Sequence, residues 1–315
     1  MVKEKKLYNI SPGPHMFAKT GTPRLMIDVV IALIPAMIAS VYFFRMKAVA
    51  LYAASILACV FFEAVIQILM KRKVTVLDCS AVVTGILFAM NMPPSLPVWT
   101  AVIGCLVAMG LAKQLFGGLG MNIFNPALLG RAFLAAAFPA LMTTWTNPIT
   151  LDAVTGATPL GMIKFSHDLN INYMNLFTGN ISGSLGETSA LALIIGGVYL
   201  LIRKAIDWRV PFSYIFTVSI ISLITNLIAP GTYAGPLFHV MAGGLLIGAI
   251  YMATDPVTSP VTKRGRWIFG IGCGIITMVI RLWGGLPEGV MYSILLMNAV
   301  TPLLNRMTRQ RRYGT

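Results

Sequence analysis

This chain has little charge. Only 11% of its 315 residues are Asp, Glu, Lys or Arg, against about 25% in a soluble domain. Hydrophobic residues make up 57%, and mean hydropathy is +0.79. A large soluble core does not fit these values, and an integral membrane protein is expected. Acids are the scarcest class, ten Asp and Glu against 24 Lys and Arg, for a net charge of +14. In a soluble protein that balance would suggest nucleic acid. Here the basic residues lie between apolar runs, so they mark topology, and no nucleic-acid partner is expected. Cysteine is rare too. Cys59, Cys79, Cys105 and Cys273 fall in or at apolar segments without a Cys-x-x-Cys pair, which argues against an iron–sulfur site or a disulfide framework. His15, His167 and His239 are scattered and lack metal-ligand spacing. There is no Ser-His-Asp set, phosphate loop or dinucleotide fingerprint, so self-contained hydrolytic or nicotinamide chemistry is not expected. The start, Met1–Pro14, is polar and lacks the apolar core of a cleaved signal peptide.

What is present is a series of ten apolar segments, about 25–44, 48–70, 79–92, 96–113, 126–142, 189–206, 211–229, 236–254, 267–283 and 289–304. Helices are the only sensible form, because open strands leave backbone groups unsatisfied in lipid. Segment 79–92 is short and runs into Pro93-Pro94. Basic residues set the orientation. Lys3, Lys5, Lys6, Lys19 and Arg24 precede the first segment, and Lys71, Arg72 and Lys73 follow the second. Lys113, then Arg203, Lys204 and Arg209, then Lys263, Arg264 and Arg266, then Arg306, Arg309, Arg311 and Arg312 occupy every second connection after that. Ten spans with both termini in the cytoplasm follow. The expected parts are a cytoplasmic tail 1–24, a first repeat 25–142, an external loop 143–188, a second repeat 189–304 and a basic cytoplasmic tail 305–315.

The two repeats are visible in the letters. Trp99-x4-Gly104-Cys105, then Lys113-Gln-Leu-Phe116-Gly117-Gly118-Leu119, recurs as Trp267-x4-Gly272-Cys273, then Arg281-Leu-Trp283-Gly284-Gly285-Leu286. Five helices per half is an odd number, so the second half is inverted. Each half is punctuated in matching places, by Pro93, Pro94 and Pro97 and by Pro256 and Pro260. Broken helices at matched positions of inverted repeats flank midplane sites, because unwound backbone needs protein, ligand or water against it. The expected fold class is therefore all-α, with ten transmembrane helices in two inverted five-helix repeats.

Three groups of residues could carry chemistry. The first is Asp152-x-x-Thr155-Gly156-Ala157-Thr158 in the external loop. A turn would use the same residue types, but this spacing should arise by chance in fewer than about one chain in a hundred. It resembles the acceptor motif of flavin transferases, which join FMN through its phosphate to the last hydroxyl residue, here Thr158. The second is Lys113–Ala127. Gly117 and Gly118 would let a ring approach the backbone, and Asn122 and Asn125 could bond a heterocycle edge. Equally, the stretch could be a helix connection with Asn125-Pro126 opening the next helix. The third is the set of acids near membrane depth, Asp28, Glu63, Asp255 and Glu288. A carboxylate there is costly and implies an ion pathway or a pairing role. Glu63 lies deepest, with Arg131 a conceivable partner. Asp255 and Glu288 sit at span ends, where capping competes with ion binding. Asp28 suits a helix-terminus role.

Ser11-Pro12-x-x-His15, Lys113–Ala127, Asp152–Thr158, Ala253-Thr254-Asp255-Pro256, Pro287-Glu288-Gly289 and Asn298-x3-Pro302 occur in one order. In this the chain resembles, essentially end to end, the family of Rnf-complex D subunits. It is similar also to the B subunits of the sodium-translocating NADH:quinone reductases, which are longer. Asn305 is a departure, since related chains often carry Asp there. The resemblance implies a subunit of an ion-pumping ferredoxin:NAD+ oxidoreductase in the cell membrane, not catalytic alone. It implies covalent FMN on Thr158, a non-covalent riboflavin in the membrane domain, and Na+ or H+ movement coupled to electron transfer. Implied partners are the other Rnf subunits, one of them flavin-bearing, a flavin transferase for maturation, and lipid. The rival is an inverted-repeat channel or transporter without a redox role, which has no reason to keep Asp152–Thr158.

The alternation of basic connections yields a direct expectation. A cysteine placed at Asn180 should react with an impermeant thiol reagent in intact cells. Reaction only after lysis would invert the topology.

Overall fold

Apolar runs bounded by Pro, Gly and basic residues dictate helices, and the computed structural model of the chain is built from them. It describes residues 21–146, 148, 153–154, 158–166 and 172–309. Asp152, Thr155, Gly156, Ala157, His15, His167 and most of both tails lie outside the described residues.

The first helix, α1, runs Thr22–Leu69 and opens on Pro23, where a proline's missing N–H costs nothing. Arg45 breaks it at φ 50° and ψ −132°. Ser40 Oγ and Tyr52 Oη lie 2.9 Å apart, whereas twelve residues of straight helix would separate them by about 18 Å. The chain therefore doubles back at Arg45, and segments 25–44 and 48–70 form a hairpin. Then come α2 Ser80–Met90, α3 Val98–Val107 with a wider turn over Ala108–Gln114, and α4 Pro126–Ala137. Expected segment 126–142 stops early, because Phe138 leaves helical geometry ahead of Pro139, which opens a separate turn, Pro139–Met142.

After the 143–188 region come α5 Ala190–Ile202 and α6 Arg209–Ile228. The expected span 236–254 is interrupted. It divides into α7 Pro236–Met241 and α8 Leu245–Ile247, the latter continuing as a wide turn over Gly248–Met252. Between them Ala242 is extended and Gly243 takes φ +70°, a conformation that glycine adopts without strain. The last helices are α9 Lys263–Trp283 and α10 Val290–Met307. The fold is thus all-α in a membrane protein. Among the described residues, Arg209–Ile228 and Lys263–Trp283 are long and apolar enough to cross a membrane whole, as is Thr22–Leu69, whose length is shared between the two arms of the hairpin. The only strands among the described residues are Trp145–Thr146 and Ala153–Val154, paired antiparallel.

Ile31, Ile38, Leu57, Phe61, Phe216 and Leu227 are among the many large apolar side chains left exposed. In water this surface would be a liability; against lipid it is the expected outer face. Inside, helices meet through small residues. The hairpin α1 packs on α2, α3 and α5, and α6 packs on α9. The two halves interlock where α1 crosses α5: Tyr251 Oη donates to Ala32 O at 3.3 Å and to Leu193 O at 3.0 Å. Asp28 accepts from Tyr199 Oη at 3.0 Å and from Arg203 at 3.3 Å, so it joins the halves instead of serving a helix terminus. In the basic connection before α6, Asp207 bonds Arg209 and Arg266. Burial works to raise the Asp207 carboxyl, but the Arg209 N–H and the two guanidiniums outweigh it and hold it below the usual carboxylate range.

At Gly196 on α5, a Cβ would collide with Ala32 O and the Tyr251 hydroxyl. Gly196→Ala gains about 1 kcal/mol of helix propensity but must push a backbone carbonyl aside, and overpacking of that kind costs about 1–3 kcal/mol. The variant should therefore unfold at a lower temperature than wild type in detergent, read by thermal exposure of the buried cysteines. An unchanged midpoint would mean that α1 and α5 do not approach this closely.

Candidate functional site

The polar groups buried in this apolar body gather in three places. The first is built on the repeat's fourth segment. Lys113, at the end of the wide turn after α3, is 1% exposed, and Glu63 on α1 is fully buried. Lys113 Nζ lies 2.6 Å from Glu63 Oε1 and 2.6 Å from Ser80 Oγ, at the first residue of α2. Gln114 donates to the same carboxylate oxygen at 3.1 Å, and Gln67 at 3.4 Å. Glu63 Oε2 has no partner. Two expectations change here. Lys113 is a buried ion-pair member, not a cytoplasmic loop cation. Glu63 pairs with Lys113, not Arg131. The reason is reach: α3 packs directly on α1, whereas Arg131 on α4 bonds Asn91 and Glu288 instead.

Beside that pair lies a cavity lined by Lys113, Asn122, Asn125, Thr84, Tyr251 and Asp255 among others. Asn125 caps α4, accepting from Ala127 N at 3.1 Å and Leu128 N at 3.3 Å, and donates to Met252 O at 3.4 Å. The helix-start reading of Asn125-Pro126 therefore holds, while the same residue still lines the cavity. Asn122 Oδ1 is buried without a partner, free for a donor on a ligand. Asp255 accepts from Val257 N at 3.2 Å and Thr258 Oγ1 at 3.1 Å, a turn-capping role at the cavity's edge. Gly117 and Gly118 are not in this wall. Both have positive φ and line a neighbouring cleft with Arg72, Lys73, Thr75 and Asp78.

The second place adjoins the turn that Thr158 opens. Thr158 caps the turn Pro159–Gly161, its Oγ1 accepting from Gly161 N at 3.2 Å. The following residues carry Leu160, Ile163 and Lys164 into the wall of a cavity. Phe238, His239 and Arg281 complete its inner side. His239 is 4% exposed, and neither ring nitrogen has a partner. Arg281 is also 4% exposed; it donates to His239 O at 2.6 Å and Ala242 O at 3.0 Å, while its Nε is unpartnered. Arg281 matches Lys113 in the recurring sequence pattern, yet its side chain has no carboxylate at ion-pair distance among the described residues. Lys164 is not available for a phosphate on Thr158. Its ammonium donates to Ile280 O, Arg281 O and Leu286 O at 2.8, 3.0 and 2.7 Å, covering the open carbonyls at the end of α9. Partial burial lowers its pKa.

The third place lies between the halves. Arg131 on α4 donates to Asn91 Oδ1 at 3.1 Å and to Glu288 Oε2 at 2.7 Å. Gly244 N, in the break between α7 and α8, donates to Glu288 Oε1 at 2.8 Å. Glu187, 6% exposed, stands on the turn before α5, and its Oε1 has no partner. Sequence reading missed Glu187, His239 and the burial of Arg281. A charged residue inside segment 267–283 was the available signal for Arg281. Glu187 looked like the polar end of a loop, and nothing in its neighbours distinguished it.

A family model described as the NQR2, RnfD, RnfE family matches residues 9–314. The chain is 47% identical to the D subunit of the Na+-translocating ferredoxin:NAD+ oxidoreductase complex of Acetobacterium woodii, over 97% of this chain and 95% of that one. It is 42% identical to the D subunit of the proton-translocating complex of the same type from Clostridium ljungdahlii, over 99% and 98%. The D subunit of an ion-translocating oxidoreductase complex from Stutzerimonas stutzeri is 40% identical over 94% and 93%.

The Glu63–Lys113 pair makes its own prediction. Removing one member of a buried pair leaves an uncompensated charge and costs about 3–5 kcal/mol. Lys113→Met should lower the thermal midpoint of the purified protein markedly, and adding Glu63→Gln should restore much of the loss. A wild-type midpoint in Lys113→Met would show that the pair does not carry this part of the fold.

Proposed function

The chain belongs to the NQR2, RnfD, RnfE family, and on that premise we propose that it is the membrane electron-carrying subunit of an Rnf-type ferredoxin:NAD+ oxidoreductase. Relatives alike over nearly their whole length are the D subunits of complexes that move Na+ or H+. The chain would not be catalytic alone and would work with the other Rnf subunits, including a flavin-bearing one. Its ten apolar segments would cross the cell membrane as two inverted five-helix repeats, 25–142 and 189–304, with both termini in the cytoplasm.

The observation that carries the redox reading is the cavity beside Thr158. Its walls are apolar on the Leu160 and Phe238 side and hold unpartnered buried nitrogens on the His239 and Arg281 side. A flat heterocycle with polar edges fits such a lining, and a threonine hydroxyl stands at the start of the turn that closes it. FMN joined through its phosphate to Thr158, once a flavin transferase has acted on 152–158, would supply one- and two-electron transfer there. The protein's part would be to hold the ring over Phe238 and to offer N–H donors from His239 and Arg281. The cavity at Asn122 and Asn125 is the proposed seat of a non-covalent riboflavin, with Asn122 Oδ1 as the acceptor for a ring N–H. Glu63, Asp255 and Glu288 are the proposed ion-pathway carboxylates, each facing a polar interior instead of lipid. A pumping device further requires an ion affinity that differs between redox states.

Thr155 and Thr158 compete for the flavin, and the motif assigns it to Thr158. Thr158→Ala should abolish the flavin fluorescence that survives denaturing electrophoresis, whereas Thr155→Ser should keep it. In the wild-type complex from its native host, the peptide containing Thr158 should be heavier by one FMN less one water. A bare Thr158 in that preparation would sink the assignment.

A further inference from the structure

Glu187 is the buried acid that the reading above does not use. It stands on the turn Leu185–Glu187, which is wedged between helices: a Cβ at Gly186 would meet Ile247 of α8 at 2.7 Å and Met90 of α2 at 2.9 Å. The turn is pinned by Leu185 N donating to Met92 O at 3.1 Å. Glu187 is therefore fixed in place, not a flexible loop acid. Its Oε1 faces the interior with no hydrogen-bond partner. Ser184 bonds the carboxylate, but a buried carboxylate oxygen left without a partner is costly unless something neutralises it.

The surroundings limit what that can be. The charged groups near Glu187 are Glu288, just before α10, Arg131 on α4 and Arg281 on α9. The residues of α2 and α8 that meet its turn, Met90 and Ile247, do not titrate. Both carboxylates converge on the break between α7 and α8. A Cβ at Gly244 would collide with Glu288 Oε1 and lie 3.6 Å from Glu187 Oε1. Glu288 has Arg131 on one oxygen and Gly244 N on the other. Glu187 is hydrogen-bonded by Ser184 but, among the described residues, has no guanidinium at ion-pair distance and no partner on Oε1, so it is the less compensated member. A metal cation here would face two guanidiniums, whereas a proton on Oε1 turns the carboxylate into a neutral group that both tolerate.

The same break touches the Thr158 cavity. A Cβ at Gly243 would lie 2.5 Å from Leu160 Cδ1, 3.2 Å from Arg281 Nη2 and 3.8 Å from Glu288 Oε1. Leu160 and Arg281 both line that cavity. Arg281 thus has the cavity on one side and the acid pair on the other. Its charge, balanced by the carbonyls of His239 and Ala242 and by the nearby Glu288 and Glu187, is shared between them. Negative charge added to the cavity draws on Arg281 and leaves the acid pair less compensated.

We propose that Glu187 is a proton-loading residue, taking up one proton at Oε1 when an electron enters the cavity beside Thr158 and releasing it when the electron leaves. The electron comes from a reduced flavin or iron–sulfur group of a partner subunit, which is oxidised by one electron. That electron is taken up by the flavin held beside Thr158, and the proton comes from hydronium: one of its O–H bonds breaks to leave water as one O–H bond forms at Glu187 Oε1, and reoxidation returns the proton to water. This inference rests on the flavin assignment above. Glu187 does not touch the ring; it responds through Arg281.

The test is redox-difference infrared spectroscopy on the intact complex, reduced and reoxidised electrochemically, with covalent flavin scored separately by fluorescence in denaturing gels. On reduction the wild type should gain the carbonyl stretch of a protonated carboxylic acid, shifted in D2O. Glu187→Gln should lose that band while keeping assembly and covalent flavin. Should Glu187→Gln not assemble, Glu187→Asp serves, and the band should move in frequency. If flavin is present and reduces normally but the band is missing, or stays unmoved in both variants, the proton-loading role is overturned and the flavin assignment stands. If the wild-type chain carries no flavin, the flavin assignment and the inference that rests on it both fail.

Discussion

Two buried cations hold the interrupted helices of this chain in place, and much of the interior is arranged around them. Lys113 and Arg281 occupy matching positions in the recurring sequence pattern, and each is almost wholly buried. Each reaches a short helix of its own half: Lys113 bonds Ser80 at the start of α2, and Arg281 bonds the carbonyls of His239 and Ala242 where α7 ends. A charge taken out of water must be compensated nearby. The first half does this with a carboxylate, Glu63. The second half does it with carbonyl dipoles from an unwound stretch. That difference makes the first site a closed ion pair and leaves the second with positive potential to share.

The unwound stretch is possible only because of what sits against it. Gly243 turns through a left-handed conformation, and the freed Gly244 N–H is taken by Glu288. Glu288 in turn is held by Arg131 from the other half. The break in α7–α8, the pairing between halves and the burial of Arg281 are therefore one structure. Loss of any member would leave a polar group unsatisfied in an apolar body, where that is most costly.

How far the sequence reveals this can be judged residue by residue. Composition and hydropathy give the all-α membrane class, and helices are found within all ten apolar segments, the first two as one hairpin. The Asn125-Pro126 helix start is legible because a cap is a local interaction between neighbours in sequence. The partner of Glu63 is not legible, since Lys113 lies about fifty residues away and two arginines or lysines look alike in a string of letters. Gly117 and Gly118 sit next to the Asn122 segment in sequence, but their positive φ turns them towards a different cleft. Glu187 escapes because its burial comes wholly from the turn being wedged between α2 and α8, a long-range fact. The motif that singles out Thr158 is local in sequence, whereas the cavity wall of Phe238, His239 and Arg281 that meets Leu160 comes from helices far downstream.

The separation of these sites bears on coupling. The proposed ring beside Thr158 and the carboxylate of Glu187 do not share a hydrogen bond, so chemistry at one cannot pass to the other by direct transfer. What they share is Arg281 and the Gly243–Gly244 break that packs against Leu160. Electrostatics acts through such an arrangement without large movement, because low surrounding polarity strengthens the field of each charge. The first half offers no equivalent. There Lys113 is already neutralised by Glu63 at 2.6 Å, and a charge entering the Asn122 cavity meets a pair with little net field. Of the two related halves, then, the one whose cation lacks a carboxylate is the one able to feel a passing electron.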